Sequence, residues 1–269
     1  IKLRAGEERL QRQSDLLQRT QRDALTGAAS REVFEDRLRQ ALIRFRRTNE
    51  LFAVIMLDLD HFKRMNDSHG HQIGDELLKR AAARLMLQLR AGDIVARFGG
   101  DEFLILETSV KKPADVRRLC SRLCTALADP YEIGPLRLSL PARIGAVVAN
   151  QQLEIGSEYV RAADLALYEA KASGRNCFRF FSDDLDHRLR RRELLEADLR
   201  EALAKEDEVA VHFQPQMNAR GDLIGAEALF RWKHPRMGDI APSEAVEIAE
   251  ESDLINILGD FVFRHAAAD

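Results

Sequence analysis

The sequence predicts an α+β fold, an α/β sandwich of ferredoxin-like type, over residues 23–182. Three observations lead to this fold class. Apolar runs of strand length alternate with amphipathic helical stretches, which is typical of a central, here mostly antiparallel, sheet covered by helices. One nearly all-apolar run, Leu51–Leu59, has the composition of a strand buried on both faces. Gly99 and Gly100 separate two short apolar runs, as a tight β-hairpin requires, because glycine accepts a positive φ.

The pattern also gives an order of elements. Helices are predicted at 31–47, 73–90, 113–128 and 158–173, and strands at 51–59, 94–98, 102–106, 136–149 and 177–181. A charged connecting helix is predicted at 183–208, and a new unit at 209–269 that is too small to bury a core alone. Leucines at a seven-residue spacing predict an N-terminal helix at 1–22, which either packs on its own domain or pairs two copies as a coiled coil: Leu3, Leu10 and Leu17.

Composition limits the class of protein. The chain is 45% hydrophobic and 32% charged, as in ordinary soluble domains, and no run of 18 apolar residues occurs. A net charge of −3 gives no electrostatic case for a nucleic-acid polymer as partner. The three cysteines lack CxxC spacing and suit buried thiols in a reducing cytosol: Cys120, Cys124 and Cys177. We therefore expect a cytoplasmic location, with an upstream membrane anchor left open.

Four acidic residues are predicted to meet at one edge of the sheet. Asp58 and Asp60 end the central strand, where residues i and i+2 share a face, and Asp101 and Glu102 follow the Gly99-Gly100 turn. Unpaired carboxylates so placed would repel one another, and a hard cation such as Mg²⁺ or Mn²⁺ resolves that conflict. The alternative is that these acids cap backbone groups in ordinary turns.

Polar residues after the strand have the chemistry of a guanine site. Asn66, His71 and Asp75 lie within one predicted strand–helix connection and its first turn. A carboxylate can accept both N–H donors of guanine, which adenine lacks, so this site would select GTP over ATP. The alternative is helix capping by Asn66 or Asp67. The backbone amides of residues 61–64 could hold phosphates, since the sequence has no P-loop.

Together these motifs resemble the GGDEF family of diguanylate cyclases over residues 23–181. The signature Gly99-Gly-Asp-Glu-Phe103 is intact, and so is Asp58-Leu-Asp-His-Phe-Lys63. Gly70-His-x-x-Gly-Asp75, Ala163-Asp-x-Ala-Leu-Tyr168 and Ala170-Lys-x-x-Gly-Arg-Asn176 follow in the family's order. The resemblance implies a nucleotide-cyclase palm that works as a Mg²⁺-dependent homodimer and condenses two GTP molecules into cyclic di-GMP and pyrophosphate.

The resemblance also implies a role for each matching residue. The resemblance implies that Asp58, the Leu59 carbonyl and Asp101 bind the divalent cation. Guanine falls to Asn66 and Asp75, with His71 nearby. Phosphates fall to Lys171, Arg175 and the backbone at His61, Phe62 and Lys63. Glu102 would help activate the attacking 3′-hydroxyl, and Asp60 is grouped with the catalytic acids.

A further match lies upstream of the turn. Arg90 and Asp93 have the spacing of the family's RxxD pair, which implies binding of, and inhibition by, the product cyclic di-GMP. An arginine can form two bonds to a phosphate or guanine, while the aspartate accepts from the base. The alternative is a surface Arg/Asp pair at a helix end.

The C-terminal segment resembles the opening of an EAL-type cyclic di-GMP phosphodiesterase. The matching motifs are Phe213-Gln-Pro215, Glu227-Ala-Leu229 and Arg231-Trp-x-His-Pro235. The resemblance implies a metal ligand at Glu227 and ligand contacts at Gln214 and Arg231. Such TIM-like barrels need roughly 250 residues. We therefore expect this incomplete barrel fragment to be inactive, and either loosely packed or docked on the first domain.

A second functional class stays open. The GGDEF-like domain could be a catalytically silent GTP-binding domain that regulates an adjoining phosphodiesterase. The intact Gly99–Phe103 turn, Asp58, Lys171 and Arg175 favour catalysis. An upstream sensor domain is expected as a further partner in a longer protein.

Overall fold

The computed structural model describes residues 21–268, which divide into two units after Asp186. The N-terminal helix predicted at 1–22 lies, apart from its last two positions, outside the described residues. Within the described part, every helix is too short or too polar to cross a lipid bilayer. Each unit is described by itself below.

Over residues 21–182, the first unit contains a sheet, a small hairpin and five helices. The helices are α1 Arg31–Thr48, α2 Phe62–His69, α3 His71–Gln88, α4 Pro113–Ala128 and α5 Gly156–Ser173. The strands are β1 Leu51–Leu59, β2 Ile94–Gly99, β3 Glu102–Val110, β4 Tyr131–Ile133, β5 Leu136–Leu138, β6 Ala142–Val148 and β7 Phe178–Phe180. β4 and β5 pair only with each other.

The five-stranded sheet has the order β2-β3-β1-β6-β7. Strand β1 pairs antiparallel with β3 on one side and with β6 on the other, and only the β6–β7 pair is parallel. The register sets Asp58 of β1 opposite Glu102 of β3 and opposite Arg143 of β6. The predicted α+β fold with a mostly antiparallel central sheet is thus confirmed.

Strand β1 is apolar at every position except Asp58, because both of its faces are covered. Ala53, Ile55 and Leu57 belong to a core shared with α3 and α4. The alternate residues Val54 and Met56 belong to a second core, shared with α1 and α5. Successive side chains of a strand point to opposite faces, so each face of β1 serves a different core.

Helix α5 lies directly on strand β6 at Gly145. A Cβ atom at this glycine would stand 2.1 Å from the carbonyl oxygen of Ala163 and 2.1 Å from the amide nitrogen of Leu167. Only a residue without a side chain allows this approach. The contact fixes the height of α5 above the sheet, and α5 carries Lys171 at its C-terminal end.

Two short elements differ from the sequence-based expectation. A connection was predicted before one helix at 73–90, whereas α2 and α3 are two helices separated at Gly70, whose φ is 83°. Phe62 is the one buried residue of α2, so this helix has no apolar period that a sequence pattern could reveal. Strand β4 was also missed, because its three residues are too few to show an alternating pattern.

The second unit begins within a long helix and continues into a three-stranded sheet. Its elements are the later part of α6 Asp183–Lys205, then β8 Val209–Met217, β9 Leu223–His234, β10 Gly238–Ile240, α7 Pro242–Glu251 and α8 Ile255–Ala268. The sheet order is β10-β9-β8, all antiparallel.

Of the two expectations for residues 209–269, loose packing or docking on the first domain, loose packing is wrong. Leu195 and Leu199 of α6 are fully buried, and they pack in one cluster with Trp232 and Phe261. The predicted connecting helix therefore supplies one side of this core, which residues 209–269 could not complete alone. The far end of the hairpin remains apolar and exposed, at Met217, Leu223 and Ile224.

Candidate active site

Arg97 holds the acidic turn between β2 and β3 in place. Gly100 takes a φ of 49°, and its carbonyl accepts two bonds from the Arg97 guanidinium, at 3.0 and 2.7 Å. The same guanidinium lies 3.5 Å from the Asp23 carboxylate, which also accepts from the Thr26 amide and hydroxyl. The turn that bears Asp101 is therefore held by the segment preceding α1.

Asp58, Asp101 and Glu102 form the acidic part of the site. Burial, and then the negative charge of Asp58, raise the pKa of Asp101. Burial also raises the pKa of Glu102, with Asp58, Asp164 and Asp101 acting in the same direction and Lys171 opposing them. Asp58 therefore lies close enough to both residues of the turn to repel them.

Two cationic side chains hold Asp58 in place. The Lys171 ammonium donates to Asp58 Oδ2 at 2.9 Å, and the Arg143 Nη2 atom lies 3.7 Å from Asp58 Oδ1. The ammonium comes from the end of α5 and the guanidinium from β6. Sequence reasoning anticipated Lys171 near the site, but Arg143 was missed, because only the strand register places it opposite Asp58.

The prediction that four carboxylates converge is wrong for Asp60. Its side chain is 0% exposed and forms an ion pair with the Nε atom of Arg143. Its Oδ2 accepts from the Asn176 amide at 3.4 Å, and its own amide donates to the Pro141 carbonyl. Side chains alternate between the two faces of a strand only where the strand is hydrogen-bonded to its neighbours. Asp60 lies one residue beyond β1. Asp60 supports the site from inside.

A divalent cation fits the remaining donors. Burial, and then the charge of Asp58, raise the pKa of Asp101, and a cation between the two carboxylates would relieve their repulsion. Carboxylate and carbonyl oxygens are the donors that Mg²⁺ and Mn²⁺ accept. Within residues 21–268, however, no group of three or more His, Cys, Asp or Glu side chains could hold a metal ion.

Asn66 is a half-buried residue of α2 that faces α3. Its Oδ1 atom is buried without a hydrogen-bond partner, and a Cβ atom at Gly74 would lie 1.8 Å from it. The alternative of helix capping is not seen, since the N-cap of α3 is Gly70 and receives no side-chain bond. His71, the first residue of α3, and Asp75, four residues further along it, are both exposed. These three polar groups flank the α2–α3 junction.

The residues predicted to hold phosphates lie at two helix ends. His61, with a φ of 61°, is the N-cap of α2, and Phe62 and Lys63 follow in its first turn. The first amides of a helix have no partner within that helix, so they remain available to an anion. Lys171 lies in the last turn of α5, and Arg175 is exposed in the loop that follows.

The Arg90–Asp93 pair forms a turn after α3. Asp93 Oδ2 accepts from the Arg90 amide at 3.0 Å, and Oδ1 accepts from the Thr108 amide at 2.9 Å. The carboxylate of Asp93 is therefore engaged with backbone amides. The exposed side chain of Arg90 borders a cavity of about 450 Å³ that Arg22 and Arg37 also line.

In the second unit, two of the predicted ligand positions are direct neighbours. Gln214 of β8 stands opposite Glu227 of β9, and both are exposed. Arg231 is half-buried, and its Nη1 donates to the Phe230 carbonyl at 3.1 Å.

Comparisons with known proteins agree with this architecture. The family described as "Diguanylate cyclase, GGDEF domain" matches residues 20–177, and the EAL domain family matches residues 196–269. The bifunctional diguanylate cyclase/cyclic di-GMP phosphodiesterase MucR of Pseudomonas aeruginosa is 37% identical over 94% of this chain and 37% of its own length. The cyclic di-GMP phosphodiesterase NbdA of the same organism is 37% identical over 95% of this chain and 33% of its own.

A solved structure gives the same result for the first unit. The GGDEF domain of PA1120 (TpbB or YfiN) from Pseudomonas aeruginosa superposes with a TM-score of 0.61 at 32% identity, covering 63% of this chain and 99% of that one. The chain spans about a third of the length of the curated relatives it matches. It belongs to the GGDEF family of cyclic di-GMP signalling proteins, with a short EAL region after the GGDEF domain.

Proposed function

We propose that residues 23–182 act as a diguanylate cyclase, which condenses two GTP molecules into cyclic di-GMP with release of two pyrophosphates. The observation that carries this proposal is the meeting of Asp58, Asp101, Glu102 and Lys171 at the end of β1. It combines acidic donors for a divalent ion with a cation suited to phosphate. A purely structural turn has no need of this combination.

In this proposal the chain's own residues bind, orient and move a proton. Asn66 and Asp75 hold the guanine edge, and the amides at the start of α2 hold phosphate oxygens together with Lys171 and Arg175. The 3′-hydroxyl of one GTP attacks the α-phosphorus of the other in line, and Glu102 accepts its proton. Each attack forms one phosphodiester bond and breaks one α–β anhydride bond. One domain presents one nucleotide, so two copies must meet.

Asp58, the Leu59 carbonyl and Asp101 would hold a Mg²⁺ or Mn²⁺ ion. That ion would neutralise negative charge on the phosphates while pyrophosphate is displaced.

A second candidate is a GTP-binding domain without turnover that regulates an adjoining EAL phosphodiesterase. Two observations favour it: both oxygens of Asp58 already face cationic side chains, and NbdA, a relative that this chain resembles, is named a phosphodiesterase. We infer, as a separate proposal, that Gln214, Glu227 and Arg231 belong to the ligand site of such a phosphodiesterase, which residues 209–269 do not complete.

One assay separates the two functions. The purified chain is incubated with GTP and Mg²⁺ or Mn²⁺, nucleotides are separated by chromatography, and GTP binding is measured by calorimetry. Formation of cyclic di-GMP supports the cyclase. Tight binding of GTP without product supports the regulatory domain, and absence of both would eliminate the two proposals together.

A further inference from the structure

A continuous chain of polar contacts runs behind the acidic site. Lys171 contacts Asp58, Asp58 lies against Arg143, and Arg143 pairs with Asp60. Asp60 then accepts from the amide of Asn176, which has a φ of 48° and follows Arg175 directly. This series of contacts therefore begins and ends in the segment that carries the predicted phosphate ligands.

Arg143 is at the centre of this series of polar contacts. Its side chain is 20% exposed, whereas that of Asp60 is fully enclosed, so the guanidinium is the counter-ion of a carboxylate that water cannot reach. A guanidinium presents donors in a rigid planar fork, and in Arg143 the Nε atom faces Asp60 while the Nη2 atom faces Asp58. A lysine ammonium has the same charge but cannot direct two separate nitrogens at two carboxylates.

The geometry of Arg143 has a direct consequence for Asp58. A residue that ligates a cation must present its oxygens in a fixed direction, and outer-shell groups commonly set that direction. Asp58 is the last but one residue of β1, where the ladder still fixes its backbone but leaves its carboxylate free to rotate. Nη2 of Arg143 near Oδ1 and the Lys171 ammonium on Oδ2 remove that freedom.

We propose that Arg143 is a positioning residue, whose guanidinium bridges Asp58 and Asp60 and so orients Asp58 toward the divalent cation. The same bridge ties the loop bearing Arg175 to the end of β1 through Asp60 and Asn176. This inference rests on the proposed cyclase site and deepens it, because it names a residue outside the acidic turn that sets the affinity for the cation.

The test uses Mn²⁺ binding, measured as the loss of the free-ion signal in electron paramagnetic resonance, with and without GTP. Arg143→Lys keeps the charge and removes the fork. The double variant Asp60→Asn with Arg143→Gln removes both members of the buried pair and leaves the net charge unchanged. Arg80→Lys is the matched control, since Arg80 forms an exposed pair with Glu76 on α3, away from this chain of contacts. Thermal unfolding shows whether each variant is folded.

We expect both Arg143 variants to bind Mn²⁺ roughly tenfold or more weakly, the range typical of groups that orient a metal ligand. The control should bind as the wild type does. Folded variants with wild-type affinity for Mn²⁺ would overturn the proposal, and so would loss of folding in both variants, which would make Arg143 a residue of stability alone.

These outcomes are distinguishable from failure of the proposed function. A wild type that binds Mn²⁺ and GTP but forms no cyclic di-GMP contradicts the cyclase, while the comparison of variants still tests Arg143. A wild type that binds no Mn²⁺ overturns both proposals before any variant is compared.

Discussion

Asp58, Asp60 and Asp101 share a side chain but not an environment. Asp58 lies between two cations, Asp60 is enclosed with a guanidinium, and Asp101 is repelled by Asp58 on a half-buried turn. The availability of a carboxylate to a ligand therefore depends on its neighbours in space. Sequence spacing grouped Asp60 with the catalytic acids, and its neighbours exclude it from contact with solvent.

Glu107 is a buried acid whose ionisation should weaken the fold. It is 5% exposed on β3, and its Oε2 has no hydrogen-bond partner. Burial, and then the charge of Asp93, raise its pKa to about 7 from 4.5. Between these pH values the native state keeps a proton that the unfolded chain has lost, so stability falls as pH rises, by on the order of 3 kcal/mol in all.

Glu107→Gln should therefore be more stable than the wild type at pH 8 and about equal to it near pH 4.5. Urea unfolding at both pH values measures the difference. Glu132→Gln, at an exposed position of β4, is the control and should change little. A Glu107→Gln variant with the same stability difference at both pH values would show that Glu107 does not titrate in this window.

Arg90 is the residue on which proposed product inhibition depends. Its exposed side chain can be removed without loss of the turn, because Asp93 bonds to the Arg90 amide and to Thr108 rather than to the guanidinium. Arg90→Ala should therefore relieve inhibition by added cyclic di-GMP and leave the initial rate intact. Initial rates at increasing product concentration measure this. Arg80→Ala serves as control, and inhibition that persists in Arg90→Ala would count against an RxxD site.

Helix α5 has little tolerance in its position on the sheet. Gly145→Ala would place a methyl group against the backbone of Ala163 and Leu167, and backbone cannot rotate away as a side chain can. We expect a loss of about 2–3 kcal/mol or more in the free energy of unfolding, at the upper end of overpacking effects.

Chemical denaturation measures this loss, and Gly259→Ala is the matched control. Gly259 has open space at its Cβ position and lies in α8, so the same substitution there should be neutral or slightly stabilising. Equal effects of the two substitutions would mean that α5 can move off the sheet.

The strengths and failures of sequence reasoning differ by element. The run Leu51–Leu59 could be recognised as central because burial on two faces requires apolar residues at nearly every position, and only Asp58 departs from this. Helix α2 could not, since it buries one residue. Arg143 could not be found either, because its meeting with Asp58 depends on a pairing of strands 85 positions apart in the sequence. Sequence patterns within one segment predict its secondary structure, whereas contacts between distant segments can be predicted only when the register of the paired strands is known.

At the scale of the whole molecule, the proposed reaction needs two copies. We expect deletion of residues 1–20 to lower turnover per chain at low protein concentration, with recovery as concentration rises, if the heptad leucines pair two chains. Gln21 and Arg22 should be kept, because the Gln21 carbonyl accepts from Ser30 and Arg22 donates to the Gly27 carbonyl.

Turnover of the shortened and full chains over a dilution series tests this prediction. Identical activity per chain at the lowest concentrations would refute a role for the N-terminal residues in pairing. Sedimentation of both chains reports whether the change follows their association.

The two-faced packing of β1 limits how this domain can be altered by insertion or deletion. Removing a single residue from the middle of the strand would reverse the facing of every position after it, and the carboxylate of Asp58 would exchange places with a leucine. Shortening by two residues would preserve the facing but draw the acid back from the turn. Insertions and deletions within this domain should therefore be tolerated at its loops and fail inside β1.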